Sequence, residues 1–188
     1  VSILIINQQV KFMNQQEPGY QSASLLHLSA GAIEASELEL LRNKLLATPG
    51  ISKLASMSQL PGTPPQVNVF ELATAQGPAK HILPQLWVDA HYLDVLRIPL
   101  LAGSNFEQRQ PGDSSLAGVI INQRAAQLMG YSPQEAIGKR LHSDDWTDYV
   151  RGVVTDYHQV SLHSAIEPLI IRYADAGHQV LVQHEAAA

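Results

Sequence analysis

Val150-Arg151-Gly152-Val153-Val154-Thr155-Asp156-Tyr157-His158-Gln159-Val160-Ser161-Leu162-His163-Ser164-Ala165-Ile166-Glu167-Pro168 is the stretch on which the reading of this chain turns. Tyr149 to Val154 predicts a strand, and Leu169-Ile170-Ile171-Arg172-Tyr173 just beyond predicts another. Between them lies the best metal-ligating set of the chain, Asp156, His158 and His163, with Asp144, Asp145 and Asp148 upstream. Imidazole with carboxylate suits zinc or another divalent ion. Asp156 and His158, two residues apart on a strand, would share a face. Against this, there is no His-x-x-x-His on a helix, and His158 to His163 crosses a loop. Half-buried histidines that hold loop backbone through their ring nitrogens are the plainer expectation. Metal ligation by Asp156, His158 and His163 stands as the weak alternative.

Working outward, Gly118-Val119-Ile120-Ile121-Asn122 predicts a buried strand, and Asn122 is placed to cap a helix from Gln123 to Met129 that Gly130 ends. Ser132-Pro133-Gln134-Glu135 opens a short helix with Pro at its first position and Glu at its third, stopping at Gly138. Upstream, Tyr92 to Leu96 predicts a short helix that leads into Ile98-Pro99-Leu100-Leu101-Ala102-Gly103, a tight connection. Val67 to Leu72 alternates at period two, and Ala75-Gln76-Gly77-Pro78 turns it into a hairpin that returns through His81 to Ala90. Leu60-Pro61-Gly62-Thr63-Pro64-Pro65 is a loop. Ser24 to Ser29 and Ile51 to Met57 predict strands. A helix between them starts at a Ser36/Glu39 capping box and ends at Thr48-Pro49-Gly50, a β-α-β unit. The class is mixed α+β with short elements. Trp87 is expected in the core, and Trp146, in an acidic stretch, on the surface; either could stack on a ligand.

Composition excludes several classes of function. Charged residues are 15% of the 188, low against the usual quarter, while 45% are hydrophobic, as in a globular chain. A net charge of -5, with Lys139-Arg140 the only adjacent basic pair, leaves nothing to neutralise phosphates, so no nucleic-acid partner is expected. The absence of cysteine removes a thiol nucleophile, a zinc-thiolate site and a disulfide scaffold. No Gly-x-Ser-x-Gly elbow, Gly-x-Gly-x-x-Gly or P-loop is present, so neither a serine hydrolase nor a nucleotide cofactor is indicated. No catalytic and no cofactor-binding residue is assigned. The apolar start Val1-Ser2-Ile3-Leu4-Ile5-Ile6 reads either as a buried strand or as the outer end of a transmembrane helix.

Three ordered segments carry a resemblance. They are Val88-Asp89-Ala90-His91-Tyr92-Leu93-Asp94-Val95-Leu96-Arg97-Ile98-Pro99-Leu100-Leu101-Ala102-Gly103-Ser104-Asn105-Phe106; Val119 to Ala126 with Glu135-Ala136-Ile137-Gly138-Lys139-Arg140-Leu141; and the run from Val150 to Pro168. In that order they resemble the MacB-like extracytoplasmic core of bacterial ABC-transporter permeases of the FtsX-like kind. The last run is similar to that family's G-V-V-x-D-[FY]-H-x-x-S-L-H pattern. The N-terminal half agrees more loosely, through Gln9 to Tyr20 and Thr48-Pro49-Gly50-Ile51.

The resemblance implies a two-lobed domain. Residues 1–20 would be the outer end of a truncated transmembrane helix and its linker, which decides the reading of Val1 to Ile6. Residues 21–80 and 168–188 would form a membrane-proximal β-α-β lobe, and 81–167 a distal lobe inserted in it. Asp156, His158 and His163 become pattern residues that hold a loop. The family's closing β-α-β runs past Val180, so an early end at Ala188 would leave that lobe short of partner strands, with an exposed edge. The implied function is non-catalytic: coupling of ATP hydrolysis, in a separate cytoplasmic ABC ATPase domain or subunit, to export or other extracytoplasmic work. A dimer of permeases in the bacterial inner membrane and a periplasmic or lipoprotein partner go with it. Pro61, Gly62 and Pro64 in one loop, and Asp144, Asp145 and Trp146 in another, are the candidate partner contacts; a solvated turn is the bland alternative for each. The rival reading is a ligand-binding sensory domain of a membrane receptor, which a preformed apolar cavity with converging polar groups would favour. A third is a secreted metal-dependent hydrolase using Asp156, His158 and His163.

Overall fold

The computed structural model describes residues 19–20, 24–31, 34–108, 118–143, 146–160 and 164–184. The alternation of Val67 to Leu72 extends into β3 (Gln66–Thr74), which pairs along its whole length with β4 (Gly77–Val88). Thr74 opposes Gly77 across a two-residue turn, and the Thr74 hydroxyl donates to the Gly77 carbonyl at 2.6 Å. Beyond this ladder β4 runs on and changes neighbours. Gln85 to Val88 pairs parallel with β9 (Ile170–Tyr173), and Val88 meets Met57 of β2 (Ile51–Met57).

From β3 the pairing continues through β7 (Arg140–Ser143), β8 (Trp146–Val154) and β6 (Val119–Asn122) to β9, and so back to β4. The six strands therefore close a circuit. A bulge in β8 between Val150 and Gly152 breaks its alternation and sends both Val150 and Val153 into one cluster, with Phe70, Leu72, Leu83, Val119, Ile121, Leu141 and Ile170. Helix α3 (Gln123–Leu128) and its cap add Ala125, Ala126 and Met129 to that cluster. Leu86, Val88, Ile120, Val154 and Ile171, on the opposite strand faces, pack with Tyr92, Leu93, Val95 and Leu96 of α2 (Tyr92–Leu96). Burial on both faces explains why Val119-Ile120-Ile121 and Leu169-Ile170-Ile171 are continuous apolar runs rather than alternating ones.

The chain's ends build the rest of the sheet. β10 (Gln179–His184) lies between β1 (Leu25–Ser29) and β2, antiparallel to both. With α1 (Ala35–Leu46), β1 and β2 form a β-α-β unit split by β10. Leu38 of α1 packs on Leu54, Val180 and Val182. The slot expected to lack a partner is thus filled by β10, and the edge falls on β1, where Leu26 and Leu28 are exposed. Of residues 1–20, the expected transmembrane end and linker, 1–18 lie outside the described residues, and no described helix is long and apolar enough to cross a membrane.

Three local expectations are corrected. α1 is capped at Glu34, whose N–H donates to Glu37 at 3.3 Å, and not at Ser36; Glu39 turns to Arg42 instead, at 3.1 Å. The stretch from Leu100 to Gly103, expected as a connection, is strand β5, antiparallel to β8. β7 was not expected at all. Both strands have four residues, too few to display a period.

Candidate functional site

Asp156, just past the end of β8, accepts the backbone N–H of Arg124 at 2.9 Å, and its other oxygen lies 3.7 Å from the Arg124 Nε. It is therefore spent on the first turn of α3, where a carboxylate also meets the positive end of the helix. Next to it, Tyr157 is buried with its hydroxyl 3.1 Å from that of Tyr92, and burial pushes both phenols up. His163 lies outside the described residues. Among the described residues, no three His, Cys, Asp or Glu side chains group as a metal site.

The loop holding Pro61, Gly62 and Pro64 is pinned at its base. Gly62 N–H donates to the Gln159 carbonyl at 2.7 Å, and the Gln159 amide donates back to Leu60 at 3.3 Å. Gly62, Thr63 and Pro64 remain exposed. Asp144 and Asp145 lie outside the described residues. Trp146 is not the exposed residue expected from its acidic neighbours. It begins β8, half-buried, meets Phe70 edge-on at 5.7 Å, and lies 3.8 Å from the Arg172 guanidinium. Trp87 also lies near Arg172, at 5.6 Å, half-buried rather than fully in the core. Burial pulls the Arg172 guanidinium below its ordinary value, and the nearby Asp148 carboxylate offsets part of that.

One further constellation escapes sequence reasoning. Arg42 of α1 is buried, with Nη2 2.7 Å from Asp89, Nη1 donating to the Leu54 carbonyl at 2.8 Å and Nε on Glu39 at 3.1 Å. Asp89 also accepts the N–H groups of Ser56 (2.8 Å) and His91 (3.0 Å). Burial pushes the Asp89 carboxyl up, against the Ser56 N–H and the Arg42 charge, which pull it down. This pair lines a cleft of about 200 Å³ with Ala35, His91 and Tyr173. It latches α1 to the segment after β4. An arginine in a helix and an aspartate 47 residues on carry no local signal of their partnership.

No protein-family model and no curated protein sequence matches the chain. Among solved structures, the periplasmic region of MacB from Actinobacillus actinomycetemcomitans superposes with a TM-score of 0.62 at 12% identity, over 94% of this chain and 81% of that one. This chain has the MacB periplasmic fold. A domain of a putative permease protein from Porphyromonas gingivalis is also similar, with a TM-score of 0.53 at 16% identity, over 87% of this chain and 75% of that one. At these identities the likeness is one of fold.

Within the MacB fold, the quoted segments have structural work to do. Gly103 takes φ +75°, and a Cβ there would run into the Arg151 carbonyl and Ile137, so the Leu101-Ala102-Gly103 step needs glycine where β5 meets β8. Asn122, which ends β6, is buried. Its Oδ1 accepts from Ala125 N (3.0 Å) and Leu169 N (2.9 Å), and its Nδ2 donates to the Glu167 carbonyl at 2.8 Å. The expected cap of α3 thus also holds the approach to β9. Asn122 and Asp156 between them place the two most specific segments of the resemblance around one helix N-terminus.

Proposed function

We propose that this chain is the extracytoplasmic domain of a bacterial ABC-transporter permease, a non-catalytic body that transmits motion of the membrane helices to an extracytoplasmic partner or substrate. The observation that carries this reading is where the described chain enters and leaves. β1 and β10 are adjacent, with Leu25 opposite Gln183 and His184 N–H donating to the Ser24 carbonyl at 2.9 Å. A body entered and left side by side can be set between two membrane spans and driven by both. The MacB fold supports the same reading.

In this account the membrane-proximal lobe expected from 21–80 and 168–188 is carried by β1, α1, β2 and β10. Residues 81–167 supply the distal lobe, and two strands from outside that range join it: β3, through its pairing with β4 and β7, and β9, through its pairing with β4 and β6. ATP hydrolysis belongs to a cytoplasmic ABC ATPase, two permeases pair in the inner membrane, and the exposed loop at Gly62 to Pro64 is offered to a periplasmic or lipoprotein partner. Trp146, held against Arg172 and Phe70, belongs to that contact less readily than the loop does.

The chain has no cysteine, so a single spin label placed at Gln76→Cys, on the exposed β3–β4 turn, reports on this domain alone once other cysteines of the full-length permease are removed. Label-to-label distances in the assembled transporter are expected to shift between the nucleotide-free and ATP-bound states. Identical distance distributions in the two states would overturn the mechanical part of the proposal.

A further inference from the structure

We propose that the end of the strand circuit flanked by Trp87 and Trp146 is a binding site for a ligand carboxylate, which Arg172 receives edge-on. Three observations converge there. Two indole rings lie against the Arg172 guanidinium, with centroids at 3.8 and 5.6 Å, yet it makes no hydrogen bond or ion pair among the described residues. Aromatic rings satisfy the face of a guanidinium, whereas its N–H donors lie in its plane. The part of that edge left open is accessible to a ligand, and a carboxylate matches it with two parallel hydrogen bonds.

Next, two buried side-chain oxygens beside the tryptophans also lack partners. They are Oε1 of Gln85, 5% exposed, and Oγ of Ser143, 3% exposed. The strand registers place both in the same neighbourhood. Trp87 is directly opposite Arg172 in the β4–β9 pair, Gln85 is two residues before Trp87 on the same face, and Ser143 is directly opposite Trp146 in the β7–β8 pair. Both atoms are closed to solvent, so they meet a ligand only once it displaces the side chains that cover them. Lastly, Trp87 borders an open cleft of about 450 Å³ with Ser58, Gln59, Gln66 and His178; the cleft adjoins the site through Trp87 alone, since neither Arg172 nor Trp146 lines it.

Asp148 lies nearby. Its carboxylate, which accepts the Tyr149 N–H at 2.9 Å, acts electrostatically on Arg172 without pairing with it. Ligand charge is drawn by Arg172 and opposed by Asp148 in the same proportion, so shape selects: the planar carboxylate of a peptide C-terminus or an organic acid matches the guanidinium edge.

Trp87 and Trp146 are the only tryptophans in the chain, so tryptophan fluorescence, excited beyond the absorption of the six tyrosines, reads this site. Titration of the protein with sodium benzoate is expected to give a saturating change. Neutral benzamide, inorganic phosphate, or benzoate added to the Arg172→Gln variant should bind roughly tenfold or more weakly. The indole N–H resonances of the unmodified protein, followed by NMR in the same titrations, read the site independently of whether that variant folds. A response to benzoate that does not saturate would overturn the site. A benzamide response as strong as that of benzoate, or a phosphate response that exceeds it, would overturn the carboxylate.

Discussion

Asp89→Ala lowers the unfolding free energy by about 4 kcal/mol, the loss typical when one partner of a buried ion pair is removed. The size follows from what the substitution strands. Arg42 of α1 is left buried with its charge balanced only by the part-exposed Glu39, and the N–H groups of Ser56 and His91 lose their acceptor. With a urea m-value of roughly 2 kcal/mol/M, the midpoint falls by about 2 M. Arg42→Ala acts similarly in sign, since it leaves Asp89 buried without its cation. The double replacement Arg42→Met with Asp89→Leu costs less than either single change, because neither charge is then left alone. A midpoint unmoved by Asp89→Ala would mean that the pair does not latch α1 to the sheet.

The second large effect is at Asn122. Asn122→Ala removes the acceptor of two buried backbone N–H groups, those of Ala125 and Leu169, and the amide that donates to the Glu167 carbonyl. At about 1 to 3 kcal/mol for each buried N–H left without a partner, a loss of about 3 kcal/mol is expected. For a chain of this length that is a fall in Tm of about 6 to 12 °C. Asn122→Asp keeps both acceptor bonds and fails only toward Glu167, so it is milder. Amide exchange at Leu169 should quicken in the alanine variant more than at Ile121, which ends no such bond. A Tm within about 2 °C of the parent would contradict the role given to this side chain.

What was legible in the chain was what short-range chemistry writes into it. Ser132-Pro133-Gln134-Glu135 gives a capping box with proline at the first turn, and the Ser132 N–H and hydroxyl both donate to Glu135, at 3.0 and 2.6 Å. Asn122 as a cap and Gly130 past the end of α3 were readable for the same reason. β2 and α2 fall on the expected residues. The closure of the strand circuit was not readable, because parallel pairing of β4 with β9 joins Gln85 to Ile170, and nothing near either residue announces the other. Nor was the slot of β10, whose partners lie at the opposite end of the chain.

The site followed the same rule. The loop around Gly62 was readable as loop from its prolines, whereas its pinning by Gln159 was not. Trp146 was misplaced because its sequence neighbours are acidic, while its spatial neighbours are Phe70 and Arg172. Asp156 drew attention as a ligand for want of sight of Arg124, whose N–H it accepts from across the fold.

Labelling in spheroplasts tests the central claim most directly. The chain offers no native cysteine, and Lys80 on β4 is exposed, so Lys80→Cys in the full-length protein provides one reactive thiol on this domain. A membrane-impermeant maleimide added to intact spheroplasts is expected to label that thiol as fully as it does after lysis. Labelling seen only after lysis would place the domain in the cytoplasm and contradict the permease account.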